Sequence, residues 1–186
     1  MLSNRFDAWR LLRQLGASGP LLLHLQLVGE AARRLVTAYG ELGIDFNANL
    51  IELGAALHDA GKIEFPQELS GPGSRHELAG EALLLGHGVP PEVARCCVSH
   101  AQWQGEGVSF EERSVALADR LWKGQRDSAL ELCIIDEAAS RLGVGRWDVF
   151  ARLDSVFEEI ADEGAARLER SREGEGERHR PSHEGG

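Results

Sequence analysis

Apolar residues recur at helical spacing along most of the chain, and no segment shows the strict alternation of apolar and polar residues that marks a half-buried strand. Glycine and proline divide this pattern, since Gly16 ends the first helix, Pro20 opens the second and Gly61 follows the third. The sequence therefore predicts an all-α protein, a compact bundle of about eight helices whose last member ends near Arg170.

Capping residues predict where several of these helices begin. Asn47 is a plausible cap for the third helix, and the segments Ser74-Arg75-His76-Glu77 and Ser109-Phe110-Glu111-Glu112 both match the capping box. In that motif the serine and the glutamate each accept a hydrogen bond from a free backbone amide of the first turn. These boundaries place His76 in the first turn of its helix and Asp119 well inside another.

The length of 186 residues fits one domain with its own core, which we predict over residues 1–170. From 171 to 186 the chain has no large apolar side chain that could offset the entropy lost on ordering. This polar tail is therefore predicted to be disordered.

The formal net charge of −10 argues against a nucleic-acid polymer or an anionic membrane as the main partner, because both require a cationic surface. No segment approaches the roughly 20 apolar residues of a membrane span, and the N-terminus lacks a cationic stretch that leads into an apolar run. Three cysteines are too few for a disulfide framework. We therefore expect a cytoplasmic protein with reduced cysteines, and the sequence indicates no particular oligomeric state.

His58 and Asp59 stand side by side at the end of the third predicted helix, where imidazole and carboxylate are candidate ligands for a cation. Adjacent side chains on a helix point about 100° apart, so a metal site in a helical protein draws its ligands from several helices. The other candidates on separate helices are His24, His76, His100 and Asp119. One possible ligand set is His24, His58, Asp59 and Asp119. His76 and His100 fit a second ion, with Asp59 as the bridging carboxylate.

The order His, His-Asp, His, His, Asp resembles the HD-domain superfamily of metal-dependent phosphohydrolases. The segments that carry this resemblance are Ala-Ala-Leu-His58-Asp59-Ala-Gly-Lys62 and Val115-Ala-Leu-Ala-Asp119-Arg120, within a core motif region of about residues 20–127. The resemblance implies that His24, His58, Asp59 and Asp119 bind one metal, and that Asp59, His76 and His100 bind the second metal of binuclear members. It also implies that Asp59 and Lys62 are catalytic, with Lys62 near the substrate phosphate.

Several further side chains are candidates for substrate binding. Arg75, Arg120 and Lys123 could assist Lys62 in neutralising phosphate oxygens, and Trp103 could stack on a base. Ordinary structural roles compete with these, because Lys62 could simply face the negative end of a helix dipole and Trp103 could be a residue at the edge of the core.

These observations together predict a divalent-metal-dependent phosphohydrolase that cleaves a phosphate ester or anhydride of a nucleotide or similar small metabolite, through a hydroxide that bridges two metal ions. Mixed imidazole and carboxylate ligands suit manganese, iron, cobalt, nickel or zinc, and one or two ions are expected. The segment after His100 lacks the paired histidines and Gly-Tyr-Pro of the cyclic-dinucleotide branch, so cyclic di-GMP is a poor substrate candidate. The alternatives are a di-iron oxygenase of the same superfamily and a non-catalytic metal-containing domain that binds a ligand or regulates.

Overall fold

The computed structural model of the protein describes residues 2–176. These residues form ten α-helices and no strand, which confirms the predicted all-α class. The helices are Arg5–Gln14 (α1), Gly19–Glu41 (α2), Ala48–Leu57 (α3), Arg75–Gly86 (α4), Pro91–Ala94 (α5), Cys96–Ser99 (α6), Phe110–Leu121 (α7), Ser128–Leu142 (α8), Arg146–Asp162 (α9) and Gly164–Gly176 (α10). Two short 3₁₀ turns, Ala60–Ile63 and Pro66–Leu69, lie between α3 and α4.

The helix count exceeds the predicted eight because two predicted helices are each divided. The predicted helix that ends near His100 consists of α5 and α6, although the backbone at Arg95 between them stays helical, with φ −61° and ψ −22°. The last predicted helix is divided into α9 and α10 at Glu163. Here Gly164 lies directly against Gly124, and a side chain at 164 would come within 2.3 Å of the Gly124 amide nitrogen.

The predicted polar tail begins inside α10, which continues to Gly176. The rest of that prediction, over 177–186, lies outside the described residues.

The capping residues account for several helix starts. Ser18 accepts a hydrogen bond from the Leu21 amide at the start of α2, and Asn47 accepts one from the Leu50 amide at the start of α3. Both hydrogen bonds of the predicted capping box at Ser109 are present at the start of α7.

Two apolar cores meet along α2 and α3. One core joins these helices to α7, α8 and α9, and the other joins them to α1, α4 and α5. Leu27 of α2 and Ile51 of α3 belong to the first core, whereas Leu25 and Leu57 belong to the second. Because α2 and α3 are buried from both sides, the polar side chains near the start of α2 and the end of α3 are held on well-packed helices. Between residues 2 and 176, no helix is long and apolar enough to cross a membrane.

Candidate metal centre

The structure brings the six predicted ligands together. All of them except the fully buried His58 line one cavity of about 480 Å³. His24 lies in the second turn of α2, His58 directly follows α3, and Asp59 comes next, before the 3₁₀ turn. The remaining three are His76 in the first turn of α4, His100 directly after α6 and Asp119 in the last turn of α7. Five helices thus contribute to one cluster, as a metal site built from helices requires.

The carboxylate of Asp59 stands at the centre, and its two oxygens face different partners. Oδ2 lies 2.9 Å from Nε2 of His24 and 3.5 Å from Nε2 of His58. Oδ1 lies 3.2 Å from Nε2 of His76 and 3.7 Å from Nε2 of His100. Each oxygen is therefore directed to two histidines, which is the arrangement expected of a carboxylate that joins two metal sites.

Asp119 completes the group on the Oδ2 side. Its Oδ1 atom lies 3.6 Å from Nε2 of His58 and 3.9 Å from Nε2 of His24. The ligand atoms of His24, His58 and Asp119 all lie within 4.8 Å of one another, and the same holds for His58, Asp59 and His100. These spacings allow a small cation to be shared within each group.

Hydrogen bonds fix three of the imidazole rings with Nε2 directed to Asp59. Nδ1 of His58 lies 3.0 Å from the Ala55 carbonyl oxygen, and Nδ1 of His100 lies 3.0 Å from the Cys96 carbonyl oxygen. A carbonyl oxygen only accepts, so in the neutral form of both rings Nδ1 carries the proton and Nε2 has the free lone pair. Nδ1 of His76 instead lies 2.7 Å from Oε2 of Glu68, a carboxylate. Such outer hydrogen bonds orient metal-binding histidines.

Burial and charge set the protonation of the cluster. Burial and the neighbouring His58 lower the pKa of His100 to about 4, so this imidazole is neutral at neutral pH. Burial opposes the charged form of His58, but Asp59 and Asp119 raise its pKa overall. The carboxylate of Asp59, with Oδ1 3.2 Å from Nε2, is the main group that raises the pKa of His76. Burial likewise opposes ionisation of Asp59, yet the surrounding histidines hold the pKa of its carboxyl well below the usual range.

Two buried ligand atoms test whether these residues suit a metal. His58 Nε2 and Asp59 Oδ1 are buried, and among the described residues neither has a hydrogen-bond partner. A buried polar atom without a partner is costly, and both of these are atoms that a transition-metal ion takes as ligands. The residues therefore fit one or two divalent ions. His24, His58, Asp59 and Asp119 would hold the first, and Asp59, His76 and His100 would hold the second.

Two lysines border the same cavity. Nζ of Lys62 lies 2.7 Å from Oδ2 of Asp59, and this side chain is largely buried. Lys123 follows α7 and lies on the Asp119 side, with Nζ 3.9 Å from Oδ2 of that residue. Both lysines belong to the cavity lining.

The structure places the other three predicted substrate contacts away from the cavity. Arg75 is exposed, and its guanidinium lies over the ring of Phe65 at 4.4 Å. Trp103 packs against the core of α2, α7 and α8 instead of facing a ligand. The guanidinium of Arg120 pairs with Asp127 at 3.0 Å and donates to the Ala116 carbonyl oxygen. None of the three belongs to the cavity lining, because other groups of the protein occupy their side chains.

The lining residues with polar or aromatic side chains that were not expected from the sequence are Glu68, Glu77, Trp122 and Ser171. Trp122 stands edge-on to the His24 ring at 5.0 Å, and its position three residues after Asp119 on the same helical face could have indicated it. Glu77 is buried and accepts a hydrogen bond from the side-chain amide of Gln102. Ser171 comes from α10, and no local motif in the sequence indicates it.

The predicted capping box at Ser74 is not formed. Ser74 makes no side-chain capping hydrogen bond, and Glu77 is directed into the cavity instead. The backbone amide of His76 donates to Oε2 of Glu68 at 3.1 Å. Glu68 therefore replaces the serine at the start of α4, because it reaches both the amide and the ring of His76.

Close backbone contact holds α4 against the 3₁₀ turn that follows Asp59. Gly61 in this turn lies against His76 and Gly80 of α4, and a side chain at 61 would come within 1.9 Å of the His76 carbonyl oxygen. Only glycine permits this approach. The contact fixes the distance between Asp59 and His76.

Comparison with known families agrees with this geometry. The sequence model of one family, the HD domain, matches residues 21–138, which is more than half of the chain and contains all six candidate ligands. No curated protein and no solved structure matches the chain significantly.

Proposed function

Because the chain belongs to the HD domain family, we propose that it is a metal-dependent phosphohydrolase that cleaves a phosphate ester or anhydride of a nucleotide or similar small metabolite. The observation that carries this proposal is the position of Asp59, whose two oxygens face two pairs of histidines while Lys62 stands beside them. Cations in such a centre would stabilise the negative charge on the phosphoryl oxygens during the reaction.

The chain's own residues have distinct roles in this proposal. When bound, the metal ions supply Lewis acidity and lower the pKa of a coordinated water. Asp59 and Asp119 balance the positive charge, and the hydrogen-bonded histidines keep the ligand atoms in position. Lys62 and Lys123 line the cavity, and in this proposal each neutralises part of the charge of a phosphate oxygen.

The cavity supports a small substrate. Its volume of about 480 Å³ falls within the usual range for small-molecule sites. Its walls combine the charged groups with apolar surfaces from Pro20, Leu69 and Trp122, which suits a phosphate attached to a less polar body such as a nucleoside. The net charge of −10 supports a small substrate in preference to a nucleic-acid polymer or an anionic membrane. We expect this activity in the cytoplasm.

A phosphate-release screen tests the proposal directly. The purified protein, its metal content measured and then loaded in turn with Mn²⁺, Fe²⁺, Co²⁺, Ni²⁺ or Zn²⁺, would be assayed against nucleotides and small phosphate esters. We expect phosphate release with the native protein and none with Asp59→Asn, which keeps the side-chain shape but removes the charge. Asp162→Asn, an exposed aspartate at the end of α9, is the matched control and should retain full activity.

Other outcomes would replace the proposal. Oxygen consumption with an alcohol-type substrate and no phosphate release would indicate a di-iron oxygenase. Bound metal with no turnover of any kind, and a thermal midpoint that falls in Asp59→Asn, would indicate a domain in which the metal serves structure alone.

A further inference from the structure

The two halves of the metal centre differ in how their histidines are supported. His58 and His100 each donate from Nδ1 to a neutral backbone carbonyl oxygen. His76 alone among the ligand histidines of the described chain donates from Nδ1 to a carboxylate, that of Glu68, at 2.7 Å. A carboxylate partner makes the opposite ring nitrogen a stronger donor to a metal.

Glu68 is built into this position from several sides. It is buried, and Oε2 accepts from both the backbone amide and the ring of His76. Gly73 lies against the carboxyl group, where a side chain on Gly73 would come within 2.4 Å of the Glu68 Cδ atom. The loop before α4 thus has room for this carboxylate because residue 73 has no side chain.

The consequence falls on one metal site only. His76 belongs to the Oδ1 side of Asp59 and is hydrogen-bonded to Glu68, whereas His24, His58 and Asp119 make no hydrogen bond or ion pair with Glu68. Without Glu68, the His76 ring could turn about its side-chain bonds or exchange its tautomer, and Nε2 would leave its place 3.2 Å from Asp59.

We propose that Glu68 is the positioning residue for the second metal ion, holding His76 so that the protein binds two ions instead of one. This inference rests on the two-ion centre of the proposed function, but it concerns metal binding and is independent of the reaction. Glu68 acts through His76 and makes no hydrogen bond or ion pair with the first ion's ligands.

Titration of the metal-free full-length protein with Mn²⁺ tests the inference, by calorimetry and by elemental analysis after desalting. We expect two ions per wild-type chain. Glu68→Ala should weaken the second ion by about 10–100-fold and leave the first within the error of the measurement. Glu68→Gln keeps an oxygen that can accept from Nδ1 and should recover part of this loss. Glu64→Gln changes an exposed glutamate of the same segment and serves as the control, with both ions retained.

Gly73→Ala provides a second route to the same result, because it leaves Glu68 in the sequence and displaces its carboxylate. It should lose the second ion as Glu68→Ala does. Circular dichroism of the metal-free variants monitors folding, and normal binding of the first ion shows that the fold is intact.

Three results would overturn the inference: a wild-type protein that binds a single ion, a Glu68→Ala variant that keeps the second ion at wild-type affinity, or an equal loss of both ions. A wrong proposal of hydrolase activity would give a different result. Both ions would bind, and binding of the second ion would depend on Glu68, but no phosphate would be released.

Discussion

Replacement of Gly61 by alanine should separate the two backbones that carry Asp59 and His76. The added methyl group would lie 1.9 Å from the His76 carbonyl oxygen and 2.6 Å from the Gly80 amide nitrogen. Nonbonded heavy atoms are ordinarily about 3.5 Å apart, so the 3₁₀ turn and α4 must move apart by about 1.5 Å. Forced overpacking of this kind costs about 1–3 kcal/mol, which lowers the thermal midpoint of a chain this long by about 2–12 °C.

The same movement should affect metal binding on one side. It lengthens the 3.2 Å separation between Asp59 Oδ1 and His76 Nε2, whereas His24 and Asp119 lie on other helices. We therefore expect Gly61→Ala to weaken the second ion more than the first. Thermal unfolding followed by circular dichroism, with Mn²⁺ titration alongside, measures both effects.

Gly86→Ala is the matched control, since Gly86 lies in α4, the helix that Gly61 packs against, and an added methyl group there meets nothing within 4 Å. Its midpoint should be unchanged or slightly higher, because alanine favours a helix over glycine. A midpoint of Gly61→Ala equal to that of the wild type, with the second ion still bound, would refute the reasoning.

Three further outcomes are expected. Lys62→Ala should reduce turnover about 10²–10³-fold with unchanged metal content, as measured by initial rates and elemental analysis; loss of the metal itself would contradict a role toward substrate. Mn²⁺ affinity should fall as the pH is lowered, because the raised pKa of His58 and of His76 keeps both imidazoles protonated to higher pH. A protonated imidazole binds no metal, so calorimetry that detects no proton release on Mn²⁺ binding would argue against this expectation. Arg75→Ala should leave KM within about twofold, since its side chain lies over Phe65, and a large rise in KM would show that it contacts substrate.

The helices could be predicted because their signals are local. Apolar spacing and capping residues such as Asn47 and Ser109 act within one or two turns, and the structure confirms both as caps. The ligand residues could be predicted from their order, which resembles that of the HD-domain superfamily. The sequence could not give their distances, and it placed Asp119 well inside a helix, whereas this residue lies in the last turn of α7.

The roles of Arg75, Arg120 and Trp103 could not be predicted, because each depends on a partner that the fold brings close. Arg120 is directed to Asp127 and Trp103 to the core, and nothing near them in the sequence favours these contacts over a ligand. Their proximity in sequence to a metal ligand does not indicate a shared direction in space.

The capping box at Ser74 failed for a related reason. Glu68, in the 3₁₀ turn before α4, accepts from a neighbouring amide of the first turn, that of His76, and bonds the His76 ring as well. Tertiary contacts of this kind override a helix-start motif when they satisfy more than one group at once.

Ser171 lines the cavity from α10, well beyond the last residue that matches the HD domain family. The helix is held on α2 by the ion pair between Arg170 and Glu30, and none of the six metal ligands takes part in that pair. The metal ligands, which would carry out the reaction, thus lie within residues 21–138. Ser171, which would help to select the substrate, lies on a separate stretch of the chain. Exchanging α10 between related proteins is therefore a way to alter which molecule fits without rebuilding the metal centre.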